Sequence, residues 1–267
     1  KGSFALAHTD RTLELKGVRP KGLMRLIDWA KAHPDEKSAE AGRPELAKIL
    51  KENLPVFDTA SFSSTLKGLT IDTPFGKAGL ENVVADLSMN GVVANGMARQ
   101  VINISGLTLP DGLPQEIVPK LALELMPKTL SMDVKVSDYD LATPAKMLLD
   151  HLEVSGDEPP PEMEQQLLTA LLPKGEATIT LAPGSYVSPA LTVTYEGSMV
   201  AGPEKMPFGQ SIIGAKGLDQ VIELIKAAPP ELELEQGIYG ILAAKGFGKV
   251  AEDGTVTWKI ETTREGA

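Results

Sequence analysis

Hydrophobic residues recur along this chain at two spacings, and the switch between them marks out its parts. From Pro20 to about Lys31, Leu23, Leu26, Ile27 and Ala30 fall on one face of a 3.6-residue period. From Pro44 to Leu54, Leu46, Ile49, Leu50 and Leu54 do the same. Each run has a proline near its first turn, where the missing N–H costs nothing, so two short amphipathic helices are predicted. The polar stretch Ala32–Arg43 between them reads as a solvated loop, which makes 1–56 a helical N-terminal part.

From Phe57 the period falls to two. Phe62, Ser64 and Leu66 alternate with Ser63, Thr65 and Lys67, and Val83, Ala85, Leu87 and Met89 alternate with Val84, Asp86, Ser88 and Asn90. Ile102 and Ile104 continue the pattern, so 57–112 is predicted as half-buried antiparallel strands. In Gly68-Leu69-Thr70-Ile71 and Gly106-Leu107-Thr108-Leu109 the apolar positions change parity across a glycine. A bulge there would add a residue, turn the side chains over and bend the sheet. A strand that stops at the glycine and restarts is the alternative.

From 113 to 267 a helix-then-strand unit repeats. Gln115–Met126 leads into Leu130, Met132, Val134 and Val136, and Pro161–Leu172 leads into Ala177, Ile179 and Leu181. Thr143 with Pro144 opens a further helix over Leu148, Leu149 and Leu152, and an acidic, proline-rich connector follows at 156–161. Leu218, Val221, Ile222 and Ile225 form another helix face, stopped at Pro229-Pro230. Leu234 to Leu242 is a helix weakened by Gly237 and Gly240. The end reads as a hairpin, Gly246–Val250 and Thr255–Thr262, around Asp253-Gly254. One elongated α+β domain results: a curved, mainly antiparallel β-sheet with flanking amphipathic helices and repeated helix–strand units.

Composition narrows the chemistry. The 267 residues are 42% hydrophobic, so the chain can bury a core without a staple. The absence of cysteine excludes thiolate nucleophiles, Cys-based zinc, iron–sulfur clusters and disulfides. A net charge of −10 argues against binding the phosphate backbone of nucleic acid. No run approaches the roughly 18 apolar residues of a spanning helix. The chain opens at Lys1 without an initiator Met, which points to a processed product that has lost an upstream signal or anchor.

No catalytic constellation emerges. Gly209-Gln-Ser211-Ile-Ile-Gly214 is one residue too long for a nucleophile elbow and reads as a flexible glycine loop, with only His8, His33 and His151 available as a base. Gly246-Phe-Gly248 precedes a strand instead of opening a helix, which inverts the dinucleotide-binding context. Asp133, Asp138 and Asp140 lack the rest of a calcium loop and read as a solvated strand end. Glu162, Glu164, Glu231, Glu233 and Glu235, with Asp157 and Glu158, read as charge at helix N-termini. No metal, cofactor or enzymatic activity is expected.

Nine Met, abundant Leu, Val and Ala, and 4% aromatic residues make a compliant apolar surface of the kind that accommodates acyl chains, although an ordinary core uses the same residues. The candidate lining is Leu130, Met132, Val134, Val136, Ile179, Leu181, Val193 and Trp258.

Gly106-Leu-Thr-Leu-Pro110, the stretch Leu125-Met-Pro-Lys-Thr-Leu-Ser-Met-Asp-Val-Lys-Val-Ser-Asp-Tyr-Asp-Leu-Ala-Thr-Pro144 and the closing Gly246-Phe-Gly-Lys-Val-Ala-Glu-Asp-Gly-Thr-Val256 resemble an uncharacterised alphaproteobacterial envelope family, a domain of unknown function. The likeness runs from about Ser61 to Thr262, and its motifs are structural. More loosely, the strand-rich pattern is similar to AsmA-like and bridge-like lipid-handling proteins, in which a curved sheet forms an apolar trough. The resemblance implies a periplasmic address, membrane proximity through an N-terminal anchor or signal, and a lipid or other hydrophobic ligand; it supplies no site residues. An envelope scaffold with a protein partner and no ligand is the alternative expectation.

Overall fold

The computed structural model describes residues 3–114, 119–155, 160–203 and 205–265. Ten strands are present: β1 (Ser3–Lys16), β2 (Thr59–Thr73), β3 (Gly76–Asn90), β4 (Gly96–Ser105), β5 (Thr129–Tyr139), β6 (Ala177–Val187), β7 (Thr192–Gly202), β8 (Lys205–Lys216), β9 (Lys249–Val250) and β10 (Val256–Thr262). All lie in one open sheet, in the order β1 through β8, then β10 and β9. Every pairing is antiparallel. The expected α+β class with a curved antiparallel sheet is therefore the one observed.

The helices gather at the two ends of the strands. At the end where β1, β3 and β5 finish lie α1 (Pro20–Ala32), α2 (Glu36–Ala41), α3 (Arg43–Asn53), α5 (Ala142–Ser155) and α6 (Pro161–Leu171). At the opposite end lie α4 (Lys120–Leu125), α7 (Leu218–Lys226), a 3-10 turn (Pro230–Leu232) and α8 (Glu235–Phe247). In the first group α3 packs on both α1 and α5, and Lys51 of α3 pairs with Asp150 and with Glu153 of α5, the latter at 2.9 Å. No helix among the described residues is long and apolar enough to cross a membrane.

Several local expectations need correction. The N-terminal part is not wholly helical, because Ser3–Lys16 is a strand paired to β2 along its length. The predicted loop Ala32–Arg43 contains α2, whose first turn is held by Asp35: its carboxylate accepts from the Ser38 N–H at 2.9 Å in a capping box. Gly209–Gly214 is not a loop but the middle of β8. Gly246 and Phe247 end α8 instead of starting the hairpin strand. Residues 115–118 of the helix predicted before β5, and 156–159 of the acidic connector with Asp157 and Glu158, lie outside the described residues.

The glycines do not insert residues. Pairing runs from Lys67↔Asn82 to Leu69↔Leu80 with no shift across Gly68, although Gly68 itself takes φ 64°. Gly106, at φ 70°, ends β4, and the chain resumes with Thr108 bridged to Gly79, so the restart alternative holds there. The register shifts fall elsewhere: at Asp138 (φ 68°), at Ala182-Pro183 and at Met206-Pro207. Proline cannot donate to a ladder, so inside a sheet it sits where the ladder is already broken. Two strand prolines, and no glycine at Gly68 or Gly106, mark the bulges.

The core is thin. A compact chain of this size exposes roughly 11,000 Å², whereas this one exposes 16850 Å². Among the described residues, the buried strand positions are Gly96, Gly214, Ala215 and Val256, and Val256 is the one large side chain fully out of water. It lies opposite Ala215, with Gly248 so close that a Cβ there would stand 2.3 Å from its Cγ1. Val256→Ala should therefore lower stability by about 2 kcal/mol, within the range of buried aliphatic truncations. Leu87→Ala, at a site 46% exposed, should cost under about 1 kcal/mol; urea denaturation of the two variants checks the contrast.

The final hairpin turns on Asp253. Its carboxylate accepts from Lys216 at 2.9 Å, from the Thr255 N–H at 3.1 Å and from the Thr255 hydroxyl at 3.0 Å, and these bonds lower its pKa from 3.8 to about 2. Because the folded value lies below the ordinary one, this contribution is complete above about 3.8 and fades as the pH falls toward about 2. Carboxyl NMR titration should find Asp253 near that low value, and Lys216→Met should raise it.

Candidate functional site

Side chains two apart on a strand share a face, and partners across a ladder do as well. Four rows across the sheet can be followed this way. One runs Phe62, Leu87, Gln100, Val134, Leu181, Gly197, Ser211, Ile260. Another runs Leu66, Val83, Ile104, Leu130, Tyr186, Val193, Ala215, Val256. Between them lies the row through Ile102, Met132, Tyr195, Ile213 and Trp258, and outside them the row through Met89, Ala98, Val136, Ile179 and Met199. From β2 to β10 these rows contain no charged side chain.

The reverse face has the opposite character. Ser63 donates to Asp86 there at 2.5 Å, and Arg99 grips Asp133 with two bonds of 2.8 and 2.6 Å. Lys135, Glu196, Lys259 and Glu261 stand on the same side. Along these four rows the sheet is thus amphipathic.

All eight predicted lining residues, Leu130, Met132, Val134, Val136, Ile179, Leu181, Val193 and Trp258, fall on the apolar face, and all eight are half-buried. They are not one pocket. Ile179 and Leu181 line a groove of about 310 Å³ together with Met199 and Ile260. Its floor is formed by Gly197, Gly209 and Ser211, which the sequence reading missed; the glycines lower the surface by leaving out side chains. Val134 and Val136 flank the groove on β5. Leu130, Val193 and Trp258 sit toward the end where α4 and α8 lie over the sheet.

Hydrogen bonds fix that end. Trp258 Nε1 donates to the Ala244 carbonyl of α8 at 2.7 Å, and the Tyr186 hydroxyl donates to the Leu125 carbonyl at the end of α4. Tyr195 reaches from β7 across Gly184 of β6 to donate to the Ser131 carbonyl of β5 at 2.7 Å. Burial pushes the phenols of Tyr186 and Tyr195 up. Beyond this covered end and the helices at the other, the face meets solvent: Leu13 is 67% exposed, and Phe62, Leu87, Met199 and Ile260 are also exposed.

The residues considered for catalysis or metal binding are turned to other tasks. Asp138 pairs with Lys174 at 2.9 Å. Asp140 is buried, which pushes its carboxyl up, but the Thr143 hydroxyl at 2.7 Å and N–H at 2.9 Å outweigh that and hold it low. Asp140, not Thr143, therefore supplies the cap of α5. His8 lies in β1 and Ser211 in β8, far apart in the strand order, while His33 ends α1 with its ring stacked on Trp29 at 4.5 Å. A larger hollow of about 630 Å³ between α4 and α7 mixes Lys120, Glu124 and Glu223 with Leu121 and Leu224.

No family model, curated protein or solved structure matches the chain.

Tyr195 links three strands on the apolar face. Tyr195→Phe should cost about 1 kcal/mol. Gly184→Ala should cost more, because the new Cβ would stand 2.5 Å from the Tyr195 ring and 2.7 Å from the Ser131 carbonyl, which cannot retreat. Urea denaturation curves order the two.

Proposed function

We propose that this protein is a non-enzymatic binder of a hydrophobic ligand, a lipid above all, which lies against the apolar face of its curved sheet. The observation that carries this is the uncharged face running unbroken from β2 to β10 and covered by helices only toward its ends. Leaving such a face to water forfeits roughly 25 cal/mol for each Å² of apolar surface, and contiguous exposed apolar patches of this kind mark interaction surfaces. The groove above Gly197 and Gly209 suits a flexible chain: its walls are aliphatic or thioether side chains that repack at low cost. The polar reverse face, with its ion pairs, suits solvent. The periplasmic setting and the likeness to AsmA-like proteins belong to the same proposal.

Native mass spectrometry and solvent extraction of the protein purified from cells should recover lipid, and a fluorescent fatty-acid probe should bind. Met199→Glu places a charge over the groove at a site 41% exposed. It should weaken probe binding on the order of tenfold or more, since burying an unpaired charge costs several kcal/mol, while the thermal midpoint barely moves. Absence of both extracted lipid and probe binding would defeat the proposal.

A further inference from the structure

The sheet has one long, unpaired edge among the described residues. β1 is a 14-residue strand paired to β2 on one side, and every one of its residues is exposed. It contains no proline, no bulge and no left-handed residue; of the devices that normally blunt an edge it carries charge alone, at Asp10, Arg11, Glu14 and Lys16. At about 3.4 Å per residue it offers a ladder of roughly 47 Å. The other edge is short: β9 pairs with Val256 and Thr257, and the rest of β10 carries Lys259 and Glu261 beside an α8 bonded to Trp258.

The geometry points to a second copy of this chain as the occupant, its β1 running antiparallel to the first and extending the sheet across a two-fold axis. That axis must stand normal to the sheet, because this orientation alone reverses the strand and carries it across the edge. It keeps the apolar faces of both copies on one side. It also restricts the register, since residues facing each other across the ladder must point the same way, so the axis passes through a residue and not between two. Centring on Asp10 sets Asp10 against Asp10 of the partner subunit, and centring on Arg11 opposes the two guanidiniums. Centring on Thr12 sets Asp10 against Glu14 of the partner subunit. Centring on Thr9 pairs the strand from Ser3 to Leu15, places His8 against Asp10 of the partner subunit twice, and brings no like charges together. Centring on Leu13 also matches charges, Asp10 with Lys16 of the partner subunit, but over about half the length. Charge complementarity and length together select Thr9. This inference does not depend on the ligand.

The chain has no cysteine, so single cysteines report the register cleanly. Sedimentation from micromolar to submillimolar concentration should show a dimer. Thr9→Cys should cross-link readily under mild oxidation, because facing Cβ atoms lie about 5 Å apart, while Arg11→Cys and Leu13→Cys should not. Asp10→Arg should weaken dimerisation on the order of tenfold, and adding His8→Asp should restore it by exchanging the charges across the axis. A monomer throughout the range, or cross-linking at Arg11→Cys or Leu13→Cys as fast as at Thr9→Cys, would overturn the inference.

Discussion

The strict alternation of side chains along the strands, held in phase by an antiparallel ladder from β1 to β10, is the constraint on which the rest of this structure depends. Because side-chain period and ladder register agree, apolar residues separated by more than a hundred positions, such as Phe62 and Ile260, arrive on one side. The backbone bonds that do this are indifferent to what faces the sheet. A sheet can therefore form with one face unpacked, its cohesion residing in cross-strand pairs and ladder bonds instead of a central core.

That division explains the helices. They do not lie along the apolar face as a second layer; they collect at the two strand ends, where backbone groups leave the ladder and need other partners. α8 and α4 each offer a carbonyl near a helix end or last turn to a Trp258 or Tyr186 side chain on the sheet. At the other end, the Asp140 N–H donates to the Leu171 carbonyl and the Leu141 N–H to the Val93 carbonyl, tying α5 and α6 to the strand termini. The middle of the face stays clear, and it is there that glycines and small residues lower the surface into a groove.

Much of this was legible in the residues. Period two over Phe62–Leu66 and Val83–Met89, and period 3.6 over Leu218–Ile225, depend on local alternation and survive into the fold. The shared face of Leu130, Met132, Val134, Val136, Ile179, Leu181, Val193 and Trp258 was legible for the same reason. β1 was harder, because its apolar residues change parity midway, from Phe4 and Leu6 to Leu13 and Leu15, and no single period describes it. The bulges were placed at Gly68 and Gly106 because the apolar positions change parity there; yet a change of parity across a left-handed glycine need not add a residue to the count. The stronger signal was proline inside a strand, at Pro183 and Pro207, where the missing donor forces the ladder to skip. The groove floor was invisible for a further reason: Gly197 and Gly209 matter through atoms they lack, and only the cross-strand register reveals that the two gaps are adjacent.

The position of charge then sets what the apolar face can do chemically. General acid–base or nucleophilic work needs ionisable groups converging on one point, and along the four rows from β2 to β10 the register sends them to the reverse face or the strand ends. Arg99 and Asp133 neutralise each other on the polar side, Asp138 is paired with Lys174, and Asp140 and Asp253 are committed to a cap and a turn. What remains along the four rows is hydrocarbon, thioether, amide and hydroxyl. Under the proposed function, such a surface would distinguish ligands by shape and apolar area. Any selectivity in that proposed role would then rest on the width of the groove and on the thioether of Met199 and the branched side chains of Ile179, Leu181 and Ile260 that wall it.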